Sequence, residues 1–395
     1  MQRQHLSEPI RQRLERYPPP FDSHYGIVPP PPETAVLIGP VAEEHAAALA
    51  AIATMDRLVA TLPHAFFVTR VLNRSEAVRS SRIEDISSTL DELLSYEATQ
   101  DVEETAGFRD RTADLRLVHA YATILDHLLP EVRNGGPSVL DASLIARLHE
   151  LLMRDDPEYA DPPGKIRDRV VWVGGTDISM SSYNPAPPGR IAECLDDHVT
   201  FLQDDLARMS MSLPARMAVA HAHFEAIHPF RDGNGRVGRL LLPLMMVAEG
   251  HTPLYLAGHL ERHKQEYYAA LKTAQQRLDF LALIRLFCTA ITTAADEAMR
   301  VQDELARLPA QWRGQARYRA KSAADRMLDL LPVHPMVTVE GVARLLDISF
   351  VAANRGVEQL VERGVLRERT GYRRNRIFVA DAAITAMTTA FVEEI

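Results

Sequence analysis

The sequence predicts a mainly α protein, with a β-hairpin flap set into a helical bundle and a winged helix-turn-helix at its C-terminal end. Three observations carry this. Long stretches such as "AEEHAAALAAIATMDRLVATL" repeat apolar residues at helical spacing. One insert, residues 161–189, breaks that pattern with Pro163-Gly164, a β-prone run and Gly174-Gly175. From residue 323 onward the pattern changes to helix, short helix, turn, helix and two β-prone segments.

Taken in order, "YPPPF" and "VPPPPE" open the chain as stiff loops. "RVLNRSEAVRSSRIEDISSTLDELL", from Arg70 to Leu94, reads as helix, a break near Ser87, and helix. Further helices are expected near 109–129, 141–154, 190–206, 214–227, 235–249, 259–274 and 279–298, with the insert between the second and third. In it, Val170, Val171, Trp172 and Val173 form the first hairpin strand, turned back by the glycines toward Tyr183. Residues 301–322 are charged with low periodicity and read as a linker. Beyond them come a helix, a short helix from Val339, a turn at Asp347–Ser349, a helix ending at Gly364, and strands at 365–368 and 377–379. The expected domains are residues 1–105, 106–300 and 323–395, joined by that linker.

A net charge of −9 argues against a protein that coats nucleic acid or a membrane surface. Cys194 and Cys288 are too few for a disulfide framework, which points to a reducing cytoplasm. The N-terminus has no apolar signal core, and Leu240–Ala248 is about half of a membrane span.

The chemistry concentrates in "IHPFRDGNGRVGR". Gly233, Gly235 and Gly238 let the backbone turn tightly with its N–H groups exposed, and the helix that starts there adds a positive dipole end; together these bind phosphate. Arg236 and Arg239, three apart, reach toward a polyphosphate. Asp232 would repel phosphate unless a divalent cation lies between them, as Mg²⁺ does in such sites. His228 is a proton acceptor at the end of the preceding helix. A competing reading takes His221, Glu225 and His228, spaced four and three, as ligands of a transition metal.

The string "HPFRDGNGR" followed by "VGR" matches without mismatch the signature of the Fic family, which this chain resembles over about residues 20–300. "PGKIRDRVVWVGG", "YNPAPP", "LYLAGHLERHKQEYYAAL" and "LDFLALIRLF" resemble the family's flap and downstream helices. The resemblance implies transfer of AMP from ATP to a Ser, Thr or Tyr hydroxyl of a target protein, or of the chain itself. It implies His228 as general base, Asp232 holding Mg²⁺, and Phe230 anchoring the loop. Gly233, Asn234, Gly235, Arg236, Val237, Gly238 and Arg239 would hold the phosphates, and Tyr267, Tyr268 and Gln275 would lie near the adenosine. Gly235 stands where the family's kinase-type motif carries lysine, which favours nucleotidyl transfer. An extended target segment would pair with Val170–Val173.

The family also carries an inhibitory helix, Ser/Thr-x-x-x-Glu-Gly/Asn, here about 76–86. Ser80 and Glu84 fit it, and Asp85 departs from it. By this resemblance Glu84 would pair with Arg239 and block the γ-phosphate. The tail holds six arginines, 363, 367, 369, 373, 374 and 376, against Glu368, which leaves DNA contact, protein docking or homodimerisation open for the last module. The alternatives to an adenylyltransferase are an enzyme removing AMP at the same site, and a DNA-binding regulator whose core senses nucleotide.

Overall fold

A computed structural model describes residues 3–61, 66–99, 112–370 and 376–389. Contacts divide the chain into two units. The first takes Met1–Thr61, Arg79–Ile86 and Ala120–Ala295; the second takes Leu62–Val78, Ser87–His119 and Asp296–Ile395.

The first unit is helical around one buried helix. All fifteen residues of Leu213–Ile227 are buried, and the helices Ile191–Gln203, Asn234–Ala248 and Lys264–Arg277 pack against it. This explains the missing amphipathicity of "LPARMAVAHAHFEAI": a helix covered all round has no polar face to show. The run Leu240–Ala248 is likewise buried. Among the described residues, no helix is long and apolar enough to cross a membrane. Both cysteines are buried and free.

Local structure differs from expectation in two places here. "YPPPF" is the connection of a short hairpin, Leu14–Arg16 antiparallel to Tyr25–Ile27. Each strand has only three residues, too short to show an alternating pattern. The expected flap hairpin is reduced to one bridge, Val173 to Tyr183, and Val170 to Trp172 form no strand. Gly174 and Gly175 do turn the chain, at φ 69° and 76°. An added Cβ there would meet Ser182 Oγ at 2.7 Å and the Met180 carbonyl oxygen at 2.8 Å.

The second unit holds a three-stranded antiparallel sheet, Met336–Thr338 beside Ile377–Val379 beside Arg367–Glu368. Helices Ala323–Leu330, Val339–Leu346, Phe350–Glu362 and Asp381–Thr389 pack around it. The expected order of three helices and two strands is present; Met336–Thr338 and the last helix were not expected. Thr338 Oγ1 caps the first of the paired helices at Gly341 N–H (3.0 Å), and Ser349 Oγ the second at Ala352 N–H (3.3 Å). This core also takes in Val71 and Leu94, so the sequence from 323 shares its interior with earlier segments. Arg369 is ion-paired with Asp91 at 2.5 Å, Arg367 with Asp381 at 2.7 Å, and Arg376 with Glu368 at 3.4 Å. Three of the six tail arginines are thus neutralised in place, while 373 and 374 lie outside the described residues.

The stretch expected as a linker is helical as far as Gln315, the end of Leu281–Gln315. Val301, Leu305, Leu308 and Trp312, spaced four, three and four, bury one stripe in the second unit's core. The charged residues between them mask that period. Trp312→Ala is therefore expected to cost about 3–5 kcal/mol. A lower urea midpoint for the full chain, followed by circular dichroism, checks this; an unchanged midpoint refutes it.

Candidate active site

The site is built on the turn between Leu213–Ile227 and Asn234–Ala248. His228 closes the first helix in the left-handed region, φ 51° and ψ 62°, with its N–H on Phe224 O at 3.0 Å. That conformation costs a non-glycine residue roughly 1–2 kcal/mol, and Arg167 holds it. Arg167 Nε donates to His228 O (2.7 Å), Nη2 to Ala186 O (2.6 Å) and Ile227 O (3.3 Å), and Nη1 to Arg169 O (2.9 Å). Its own N–H donates to Pro229 O at 3.0 Å. Burial lowers its pKa to about 10, so it remains a cation at neutral pH, solvated by carbonyl oxygens.

His149 fixes the other half of the turn. Its ring stacks on Phe230 with centroids 3.8 Å apart. Nδ1 accepts from Gly164 N–H at 2.8 Å, which leaves Nε2–H to donate to Asp232 O at 3.2 Å. Burial pushes the imidazole down to about 4 and keeps it neutral. Phe230 is buried, as expected of an anchor. Asn234 returns to Phe230 twice, accepting from its N–H and donating to its carbonyl, each at 2.9 Å. Sequence reasoning missed His149 and Arg167. A lone histidine on an apolar helix and an arginine in a loop carry no local signal.

Gly233 stands at φ 76°, and a Cβ there would lie 2.9 Å from Met153 Sδ. Asp232 is exposed; one of its carboxylate oxygens, Oδ1, accepts from Gly233 N–H at 2.7 Å. The first N–H groups of Asn234–Ala248 have no intrahelical acceptor. Arg236 is 3% exposed, touches Met153 Sδ with Nη2 at 3.5 Å, and has no hydrogen-bond partner for Nε or Nη1. Burial lowers its pKa while Asp232 and Glu84 oppose that shift. A buried guanidinium with open donors beside a helix N-terminus is a site for a multiply charged anion. Val237 turns its side chain into the core.

Arg239 is also buried, and its Nε and Nη2 donors are taken. Nε donates to Ser80 Oγ (2.8 Å), and Nη2 donates to Ser80 O (3.0 Å) and Glu84 Oε1 (2.7 Å). Burial opposes the charge, and the Glu84 carboxylate outweighs it, holding Arg239 firmly protonated. Glu84 lies just past the end of Phe66–Ile83, where Ile86 N–H reaches Ser81 O and Asp85 N–H reaches Arg82 O. This is a Schellman closure with Asp85 at φ 61°, the left-handed position that glycine or asparagine fills with less strain. Asp85 instead contributes a carboxylate to Lys264 Nζ at 2.8 Å.

The remaining candidates divide. Tyr268 donates to Ile83 O at 3.3 Å, and burial pushes its hydroxyl up to about 12. Tyr267 is buried with its hydroxyl 2.6 Å from His221 Nε2. Among the described residues no group of three His, Cys, Asp or Glu is placed to hold a metal ion. Gln275 lines a separate small cavity with Pro29–Pro32 and His223, which no motif residue enters. Val170 to Val173 are half-buried, and Trp172 packs on Phe21 at 6.0 Å.

The fold and this turn define a helical protein with a glycine-rich helix N-terminus and a buried arginine with open donors after the turn that begins at a histidine. Residues 139–246 match the family model described as Fic/DOC family, and residues 42–127 the one described as Fic/DOC family N-terminal. Over these two stretches the chain is similar to the Fic/DOC family. It is 37% identical over 145 residues to protein adenylyltransferase fic-1 of Caenorhabditis briggsae, covering 34% of this chain and 26% of that protein. Over 207 residues it is 26% identical to a probable protein adenylyltransferase of Aquifex aeolicus (strain VF5), covering 52% and 56%. The chain thus spans about a quarter of the nematode relative's length and about half of the bacterial one's. In fold it is similar to a Fic family protein from Desulfovibrio desulfuricans G20, TM-score 0.52 and 18% identity over 89% of this chain and 98% of that one. A second similar structure is Fic-1 from C. elegans, TM-score 0.50 and 21% identity over 67% and 74%.

Proposed function

We propose that the chain is a protein adenylyltransferase, moving AMP from ATP to a Ser, Thr or Tyr hydroxyl of a target protein and held back by Glu84. The observation that carries this is Arg236, a buried guanidinium with open donors beside a glycine-rich helix N-terminus, on the helix that follows the turn begun by His228. The names of the relatives support it at family level.

In this reading the N–H groups of Gly233, Asn234 and Gly235, with Arg236, take the phosphates. His228 removes the proton from the incoming hydroxyl, whose oxygen bonds to the α-phosphorus. The bond to the bridging oxygen breaks and pyrophosphate leaves with that electron pair. Arg239 takes the γ-phosphate once Glu84 has left it. Tyr268 and Tyr267 stand on the adenosine side, and an extended target segment pairs along Val170–Val173.

Mg²⁺ fits the residues present. Asp232 is a hard oxygen donor, exposed, and placed where its charge would otherwise repel phosphate. It would hold the ion, which when bound offsets the charge of the phosphates.

The test incubates the Glu84→Gly chain and a cell lysate with each labelled nucleoside triphosphate. Label is expected to enter protein from α-labelled ATP and not from γ-labelled ATP. Transfer of the γ label alone would replace this reading with a kinase.

A further inference from the structure

The helix Leu213–Ile227 buries a carboxylate to which the proposed chemistry gives no task. Glu225 is 7% exposed, lies one turn before His228, and its Oε1 has no hydrogen-bond partner. His228 Nδ1 also has none, and stands 3.6 Å from Glu225 Oε2. An ionised carboxylate taken out of water without a donor is strongly destabilising, so its presence there calls for a compensating role.

The motif makes room for it. At Gly238 an added Cβ would lie 2.6 Å from Glu225 Oε1, 3.2 Å from His221 Cε1 and 3.2 Å from Phe224 Cδ1. The third glycine of the motif, which has no positive φ to accommodate, is therefore a space left for this side chain and its neighbours. The charged and titratable groups facing Glu225 are His221 and His228 from its own end of the chain, Arg239 from Asn234–Ala248, and Tyr267 from Lys264–Arg277. Arg239 is engaged by Ser80 and Glu84, and His221 Nε2 by Tyr267. Among the described residues the one ring nitrogen within 4 Å of the carboxylate is His228 Nδ1. Burial works against the charge, and His228, His221 and Arg239 outweigh it, keeping Glu225 an anion.

We propose that Glu225 is a positioning residue for the base: its carboxylate takes a hydrogen bond from His228 Nδ1–H, which leaves Nε2 unprotonated and open to the target hydroxyl. This rests on the role proposed above for His228. The 3.6 Å separation is long for a hydrogen bond, and the contact is expected to tighten as the target hydroxyl engages Nε2. When Nε2 takes the hydroxyl proton the ring becomes a cation, and Glu225 faces the new charge without taking a proton itself. A neutral glutamine could present its amide N–H to Nδ1 and so select the opposite tautomer.

Two measurements test this. Nitrogen-15 NMR of the full chain labelled at histidine, with His228 assigned by its loss in His228→Gln, should show the proton on Nδ1. In a Glu84→Gly background, Glu225→Gln should lower kcat about 10²–10⁴-fold, the range expected when a base is held in its wrong tautomer. The KM for ATP should stay within about twofold, because the phosphate-binding groups are untouched. A proton on Nε2 in the parent chain overturns the proposal, and so does a folded Glu225→Gln with unchanged kcat. If Glu225→Gln does not fold, the tautomer of the parent chain decides alone. Absence of AMP transfer from every variant would overturn the adenylyltransferase reading, while the tautomer would still decide the role of Glu225.

Discussion

A Glu84→Gly chain is expected to incorporate at least about tenfold more AMP into protein than its parent. The physical ground is the state of Arg239, whose Nη2 is committed to Glu84 Oε1 at 2.7 Å. A hydrogen bond to a charged group contributes roughly 1.5–3 kcal/mol, and each 1.4 kcal/mol is about a factor of ten. The Glu84 side chain is 35% exposed, so solvent screening puts the expectation at the low end of that range. Glycine also frees the space beside Gly235. The assay is AMP incorporation from α-labelled ATP at matched protein concentration. Equal incorporation by the two chains would show that Glu84 is no brake, whatever its contact with Arg239.

The second large effect is expected of His228→Ala in that released background, a loss of about 10²–10⁴-fold in kcat, the usual contribution of a positioned general base. Nucleotide affinity should survive, since the phosphate groups meet N–H donors and arginines that do not include this ring. The backbone should survive as well: Arg167 grips the carbonyl of residue 228 and Phe224 O accepts its N–H, and both contacts are indifferent to the side chain. Calorimetric ATP binding together with the rate assay separates the two. Retained transfer with intact binding would remove His228 from the chemistry.

The motif was legible because its residues act within a few positions of one another, and a glycine-rich turn before a helix means the same thing in any fold. Ser80 and Glu84 were legible through the resemblance, four residues apart; Ser80 sits on the helix, Glu84 just past its end, and both reach Arg239. The turn's supports were not. Arg167 and His149 act across 61 and 83 residues of sequence, through carbonyl oxygens that every residue carries. The sequence of the flap showed β-prone residues, yet strand formation needs a partner edge, and only Val173 finds one. Residues 301–315 carried a helical stripe all along, hidden by the charged positions between its apolar members. Gln275, which the resemblance put near the adenosine, lies about two turns beyond the tyrosines on its helix and lines a cavity with Pro29–Pro32 and His223.

Gly235 sets a limit on how such a protein can change. An added methyl group there would collide with Glu84 and lie 3.0 Å from Arg239 Nη1, at the opening where the phosphates are proposed to enter. Loss of restraint and loss of substrate access would arrive in the same mutation. On the proposed reading, restraint is instead adjusted from the side of the Ser80–Asp85 turn, where substitutions leave the cradle whole.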